Sequence, residues 1–146
     1  MRVAFGTDES TATTEALKAH LVAAGHEVVV IGEGDPWPEV GRRVGEEVAA
    51  GAVDRGVVCC WTGTGVSIAA NKVPGVRAAL CGDAETARGA RRWNDANVVA
   101  LGLRLTSEAV AAEVVDAFLA EPADPREQPL IDRVEPTAAE RNRSAG

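Results

Sequence analysis

Short apolar runs that alternate with helical segments constrain this chain more than any other feature. Arg2–Phe5, Glu27–Ile31, Val57–Cys60, Val76–Cys81 and Val98–Leu101 are apolar and mostly β-branched, and read as strands. Between them, Thr11–Ala24 places Ala12, Ala16, Leu17 and Leu21 at helical spacing, with Gly25 as its stop. Gly32–Pro38 reads as a loop, Val40–Ala50 as a helix ended by Gly51, and Val66–Asn71 and Ala84–Trp93 as further helices. Ser107 is a suitable N-cap for the long helix up to Ala120. Strands and helices in strict alternation imply a parallel sheet with right-handed crossovers, covered on both faces: an α/β fold. Residues 1–136 are expected to form one domain, and 137–146 a frayed tail.

With 146 residues, 46% of them hydrophobic, the chain can build a proper core. A net charge of −7 weighs against nucleic acid as a partner, since phosphate backbones demand basic surface. No run of about 18 apolar residues suggests a membrane span. Met1-Arg2 leads straight into a strand, without the pattern of a signal peptide. Three cysteines, two of them adjacent, make a poor disulfide framework and suit a reducing cytoplasm. His20 and His26 stand six apart and no Cys-x-x-Cys pair exists, so no metal site is expected.

In a parallel sheet, ligands bind beyond the carboxyl ends of the strands. Gly6–Ser10, Cys60–Ser67 and Cys81–Asp83 should converge there, with Asn94–Asn97 expected close by. The densest signal is Val57–Leu80: a buried strand ending in the thiol of Cys60, then Thr62-Gly63-Thr64-Gly65, then a helix carrying Ser67, Asn71 and Lys72. Small residues at a helix start expose backbone N–H groups to an anionic or polyhydroxy ligand. Gly63-Thr64-Gly65 lacks the third glycine of a dinucleotide loop and the Lys-Ser/Thr of a P-loop, so no nucleotide cofactor is implied. Cys60 reads either as a nucleophile or base, or as a small buried hydrophobe. Neighbouring Cys59 should face the other side of the strand as core.

These residues resemble the ribose-5-phosphate isomerase B and galactose-6-phosphate isomerase family over Met1 to about Glu135. The likeness is carried by Thr62-Gly63-Thr64-Gly65 with Ser67-Ile68-Ala69-Ala70-Asn71-Lys72, by Val76-Arg77-Ala78-Ala79-Leu80-Cys81, and by Asn94-Asp95-Ala96-Asn97-Val98. The resemblance implies a Rossmann-like five-stranded parallel sheet in a three-layer α/β/α sandwich. It also implies a homodimer, or a tetramer, with a site made from both subunits. The implied reaction is a metal-free aldose–ketose isomerisation of a sugar phosphate through a cis-enediol(ate). Such a reaction needs a base at carbon, donors around the developing oxyanion, and an acid–base to open cyclic sugars. Cys60 matches the family's carbon base and Thr62 its proton-shuttling hydroxyl. The N–H groups of Gly63, Thr64, Gly65 and Val66, ahead of Ser67, would line the oxyanion, and Asp8 and Asn94 would hold sugar hydroxyls.

The chain departs from the family pattern at four places. Glu9 stands where a phosphate-contacting histidine is usual, Trp93 where the ring-opening histidine is usual, Trp61 replaces a glycine, and Gly82 often a histidine. A carboxylate 4 Å from a phosphate costs about 1–4 kcal/mol, depending on the local dielectric. Either Glu9 faces away or the ligand has no phosphate there. Trp93 exchanges no protons near neutrality, which fits a substrate that needs no ring opening, such as a tetrose phosphate. Trp61 would shorten the pocket in the same sense, although packing or a subunit contact explains both tryptophans equally well. Arg133 matches one family phosphate ligand, while Pro129 occupies the place of another; Arg126, or Arg88, Arg91 and Arg92, are alternatives. A non-phosphorylated sugar or keto-uronate as substrate, or a non-catalytic sugar-binding role, remain competing readings. His20, His26, Asp83, Asp95 and Lys72 have plain structural roles as their alternatives: surface, strand start, caps and helix end.

Overall fold

A computed structural model describes residues 1–146. Five parallel strands form one sheet: β1 (Arg2–Thr7), β2 (Glu27–Glu33), β3 (Arg55–Cys60), β4 (Ala78–Leu80) and β5 (Val98–Gly102). Their order is β2-β1-β3-β5-β4. Five helices connect or follow them: α1 (Ala12–Ala23), α2 (Trp37–Ala49), α3 (Thr64–Asn71), α4 (Ala84–Asn94) and α5 (Glu108–Ala120). A short 3-10 turn at Pro125–Glu127 leads into α6 (Gln128–Ile131), and α7 (Ala138–Ser144) closes the chain.

Period-two strands between two apolar layers divide the core in two. Val57 and Cys59 belong to the cluster with Leu17, Ala87, Val114 and Phe118, under α1, α4 and α5. Val58 and Cys60 belong to the cluster with Val40, Val44, Val66 and Ala70, under α2 and α3. The result is a Rossmann-like α/β/α sandwich. Helices α2 and α3 press close because Gly41 leaves room: a Cβ there would lie 2.6 Å from the Val66 carbonyl oxygen. The chain leaves β1 toward one edge of the sheet and β3 toward the other, so the strand order reverses between them and opens a crevice at their carboxyl ends.

Two local expectations need correction. The loop predicted at Gly32–Pro38 is shorter, since β2 runs to Glu33 and α2 starts at Trp37, with Pro38 tolerated in its first turn. The strand predicted over Val76–Cys81 shrinks to three residues. Arg77 N–H donates to Asn97 Oδ1 at 2.8 Å, and Asn71 both accepts from Ala78 N–H (2.8 Å) and donates to its carbonyl (2.9 Å), occupying the open edge of β4. The last residues carry α7, started by a capping box between Thr137 and Glu140, and it buries no residue. No helix is long and apolar enough to cross a membrane.

Candidate active site

Cys60 is the last residue of β3 and is 6% exposed, on the α2–α3 side of the sheet. Beyond it the chain stays tied to its neighbour strand: Leu103 N–H donates to the Cys60 carbonyl (2.9 Å) and Arg104 N–H to that of Trp61 (2.8 Å). The turn into α3 depends on Gly63, whose φ of 75° is left-handed and whose Cβ would lie 2.5 Å from Leu80 Cδ1 and 2.8 Å from Gly102 N. This tight turn aims the start of α3 at the crevice. The first intrahelical bond runs from Ser67 N–H to the Gly63 carbonyl (3.3 Å), so the N–H groups of Thr64, Gly65 and Val66 have no acceptor within the helix. Thr62 is exposed, and its Oγ1 shares a 2.7 Å hydrogen bond with Thr64 Oγ1.

Across the crevice, Asp8 N–H reaches back to the Cys59 carbonyl (3.4 Å). Asp8 is half-buried, and its Oδ1 is a buried oxygen with no hydrogen-bond partner. A buried, unpaired carboxylate oxygen carries a desolvation cost that a ligand hydroxyl would relieve. Glu9 is exposed and in no ion pair; its carbonyl accepts from Thr7 Oγ1 at 2.6 Å. Cys59 is fully buried on the opposite face, and burial, with Cys60 and Asp8 nearby, pushes its thiol far above the ordinary range. It is core, as strand alternation predicts.

A cleft of about 260 Å³ adjoins the β4 side of Thr62, walled by Trp61, Leu80, Cys81, Arg104 and Leu105. Arg104 is exposed and forms no ion pair, and sequence reasoning missed it; its signal is a lone arginine just past the carboxyl end of β5. Cys81 is buried there, its thiol pushed up to about 11 by burial and by the charge of Asp83.

The structure therefore gathers Cys60, Thr62, Gly63, Thr64, Gly65, Val66, Ser67, Asp8 and Glu9 at one rim. It does not bring Trp93, Asn94 or Arg133 to them. Helix α4 runs back along the sheet, so Trp93 and Asn94 at its end lie at the amino-terminal edge, and the expectation that Asn94–Asn97 sits near the crevice fails within one chain. Trp93 is 56% exposed and folds onto Gly89 of its own helix. Arg133 lies two residues before Glu135, whose carboxylate accepts from Gly75 N–H (2.9 Å) at the same distant edge.

The other candidates are structural or paired. Arg91 is buried between Asp95 (2.7 Å) and the Ala96 carbonyl (2.6 Å), over the Phe118 ring. Arg92 pairs with Glu121, Arg88 with Glu85, and Arg126 with Asp124, whose carboxyl it pulls down to about 2. Asp83 caps α4 by accepting from Thr86 N–H, and Asp95 takes the left-handed position that ends it. His20 meets Asp116 at 2.7 Å and His26 the amino terminus at 3.3 Å. No group of three or more His, Cys, Asp or Glu side chains is placed to hold a metal ion.

The family model for Ribose/Galactose Isomerase matches residues 3–135. The chain belongs to this family. It is 38% identical to ribose-5-phosphate isomerase B of Escherichia coli K12 over 149 residues, which covers 98% of this chain and 99% of that one. It is 34% identical to D-erythrulose-4-phosphate isomerase of Pectobacterium atrosepticum, with 82% of each chain covered. Ribose-5-phosphate isomerase B of Clostridium thermocellum superposes with a TM-score of 0.89 at 34% identity, over the whole of both chains. As a member of this family the chain is an enzyme, an aldose–ketose isomerase.

Proposed function

We propose that residues 1–136 form an isomerase domain acting on a sugar phosphate with a short, open chain, of the tetrose phosphate class, in a reducing cytoplasm. The carrying observation is the convergence of Cys60, the Thr62–Thr64 hydroxyl pair, the free amides of the α3 turn and the unpartnered Asp8 oxygen at one rim. Asp8 accepts a substrate hydroxyl. Cys60, as thiolate, takes the proton from the carbon next to the carbonyl and returns it to the neighbouring carbon. Thr62 relays the proton between the two oxygens, and the amides of the α3 turn hold the enediolate charge.

A tetrose phosphorylated on its last hydroxyl cannot close a five-membered ring, so it needs no ring-opening acid. That agrees with tryptophan at position 93 and with the likeness to a D-erythrulose-4-phosphate isomerase. Unpaired Arg104 supports a phosphate end; exposed Glu9 favours the competing reading, a non-phosphorylated sugar. Trp93, Asn94 and Arg133, stranded at the far edge, would reach a site only on a second copy, which supports a homodimer with shared sites. Steady-state turnover of D-erythrulose 4-phosphate, D-ribose 5-phosphate and plain D-erythrulose decides among these. The highest kcat/KM should fall on the first, and a preference for the unphosphorylated sugar would overturn the reading.

A further inference from the structure

Trp37 is the first residue of α2, set between Pro36 and Pro38, which restrict the chain on either side. Strand register puts this helix start at the rim of the site. Thr7 lies level with both Glu33 and Cys59, and Gly34 N–H donates to the Thr7 carbonyl at 2.9 Å. From there the indole crosses to α3. A Cβ built on Gly65 would lie 2.9 Å from both Trp37 Cδ2 and Cε3 and 3.4 Å from Cε2, and those ring atoms are its three nearest neighbours. Gly65 does not have a positive φ, so the backbone itself does not require glycine there. What requires it is the ring. Trp37 is nonetheless 44% exposed, so a flat apolar surface rests on the amide turn and is left half bare. Helix α2, which begins with Trp37, covers the face of the sheet that Cys60 also faces.

We propose that Trp37 is a specificity-determining residue of this site, its indole forming the wall against which the C–H edge of the substrate's carbon chain packs. Resting on Gly65, the ring holds that wall at a fixed distance from the amides of the α3 turn, so its position selects the length of chain that fits. This rests on the isomerase reading above and adds the surface that measures the substrate.

The test is kinetic, with D-erythrulose 4-phosphate as substrate and inorganic phosphate as competitive inhibitor. Trp37→Ala should raise KM about tenfold, the equivalent of losing part of one aromatic contact, with kcat held within about threefold. Trp37→Phe should keep most of the affinity. Gly65→Ala, whose methyl meets the ring first, should raise KM similarly, and the double variant should be no worse than Trp37→Ala, because the two changes remove one contact. Inhibition by phosphate, which needs amides and cations but no apolar wall, should be unchanged in Trp37→Ala. Unchanged KM in Trp37→Ala overturns the proposal, as do additive effects in the double variant or a matching loss of phosphate inhibition. The last outcome would mean that Trp37 merely shapes the turn. Thermal midpoints of each variant separate loss of fold from loss of affinity. A wild type inert on every sugar phosphate overturns the isomerase reading itself, and this proposal with it.

Discussion

At the scale of single residues, the site depends on which way two adjacent cysteines point. Strand alternation sends Cys59 into the α1–α4–α5 core and Cys60 to the α2–α3 side at the strand end, so only Cys60 meets the crevice. The proposed proton relay by Thr62 draws on the 2.7 Å hydrogen bond that ties its hydroxyl to that of Thr64. Thr62→Val, which keeps the shape and removes the hydroxyl, should lower kcat by about 10²- to 10⁴-fold, whereas Thr62→Ser should retain much of the rate. Steady-state assays of both variants check this. The residues of this half-site were legible because each sits in a contiguous motif whose local geometry fixes it. Arg104 and Trp37 were not, since nothing in the sequence says that a residue after β5 or at the start of α2 meets Thr62 or Gly65. Only the strand order brings them there.

At the scale of elements, the alternation of strands and helices was legible nearly throughout, and so were Gly25 after α1 and Ser107 as the cap of α5. Errors arose where a side chain replaces a backbone partner. The strand predicted over Val76–Cys81 is cut to Ala78–Leu80, and Asn71, at the end of α3, gives Ala78 the two hydrogen bonds that another strand would have supplied. No periodicity carries that information. Asn71 thus protects the edge of the sheet and anchors the end of α3 together. Asn71→Ala should cost about 1–3 kcal/mol, the penalty for leaving backbone groups unsatisfied, measured by urea unfolding. Trp93 and Asn94 were readable as residues but not as places, because a crossover helix carries its end to the opposite edge of the sheet.

At the scale of the whole molecule, the proposed homodimer with shared sites makes assembly part of the chemistry. Cys60→Ala and Asn94→Ala, each poorly active alone, should regain activity when unfolded together and refolded as a mixture, because a mixed dimer carries one intact site. An additive mixture would contradict a shared site. The buried thiols also set an alkaline limit. Burial and the charge of Asp83 push the Cys81 thiol up to about 11, against 9.0 for a free thiol, and burial shifts Cys59 further the same way. Folding therefore favours their neutral forms, and this stability is present in full below pH 9 and lost as pH rises toward 11. Urea midpoints under reducing conditions should fall across that window, and fall less steeply in Cys81→Ala. The claim on which all of this rests is that Cys60 moves a proton between neighbouring carbons of a sugar phosphate. Solvent-deuterium incorporation tests it most directly, by following the carbon-bound hydrogens of D-erythrulose 4-phosphate in heavy water by NMR. Wild type should incorporate deuterium next to the carbonyl and Cys60→Ala should not, while keeping its fold; equal incorporation by the two proteins would contradict it.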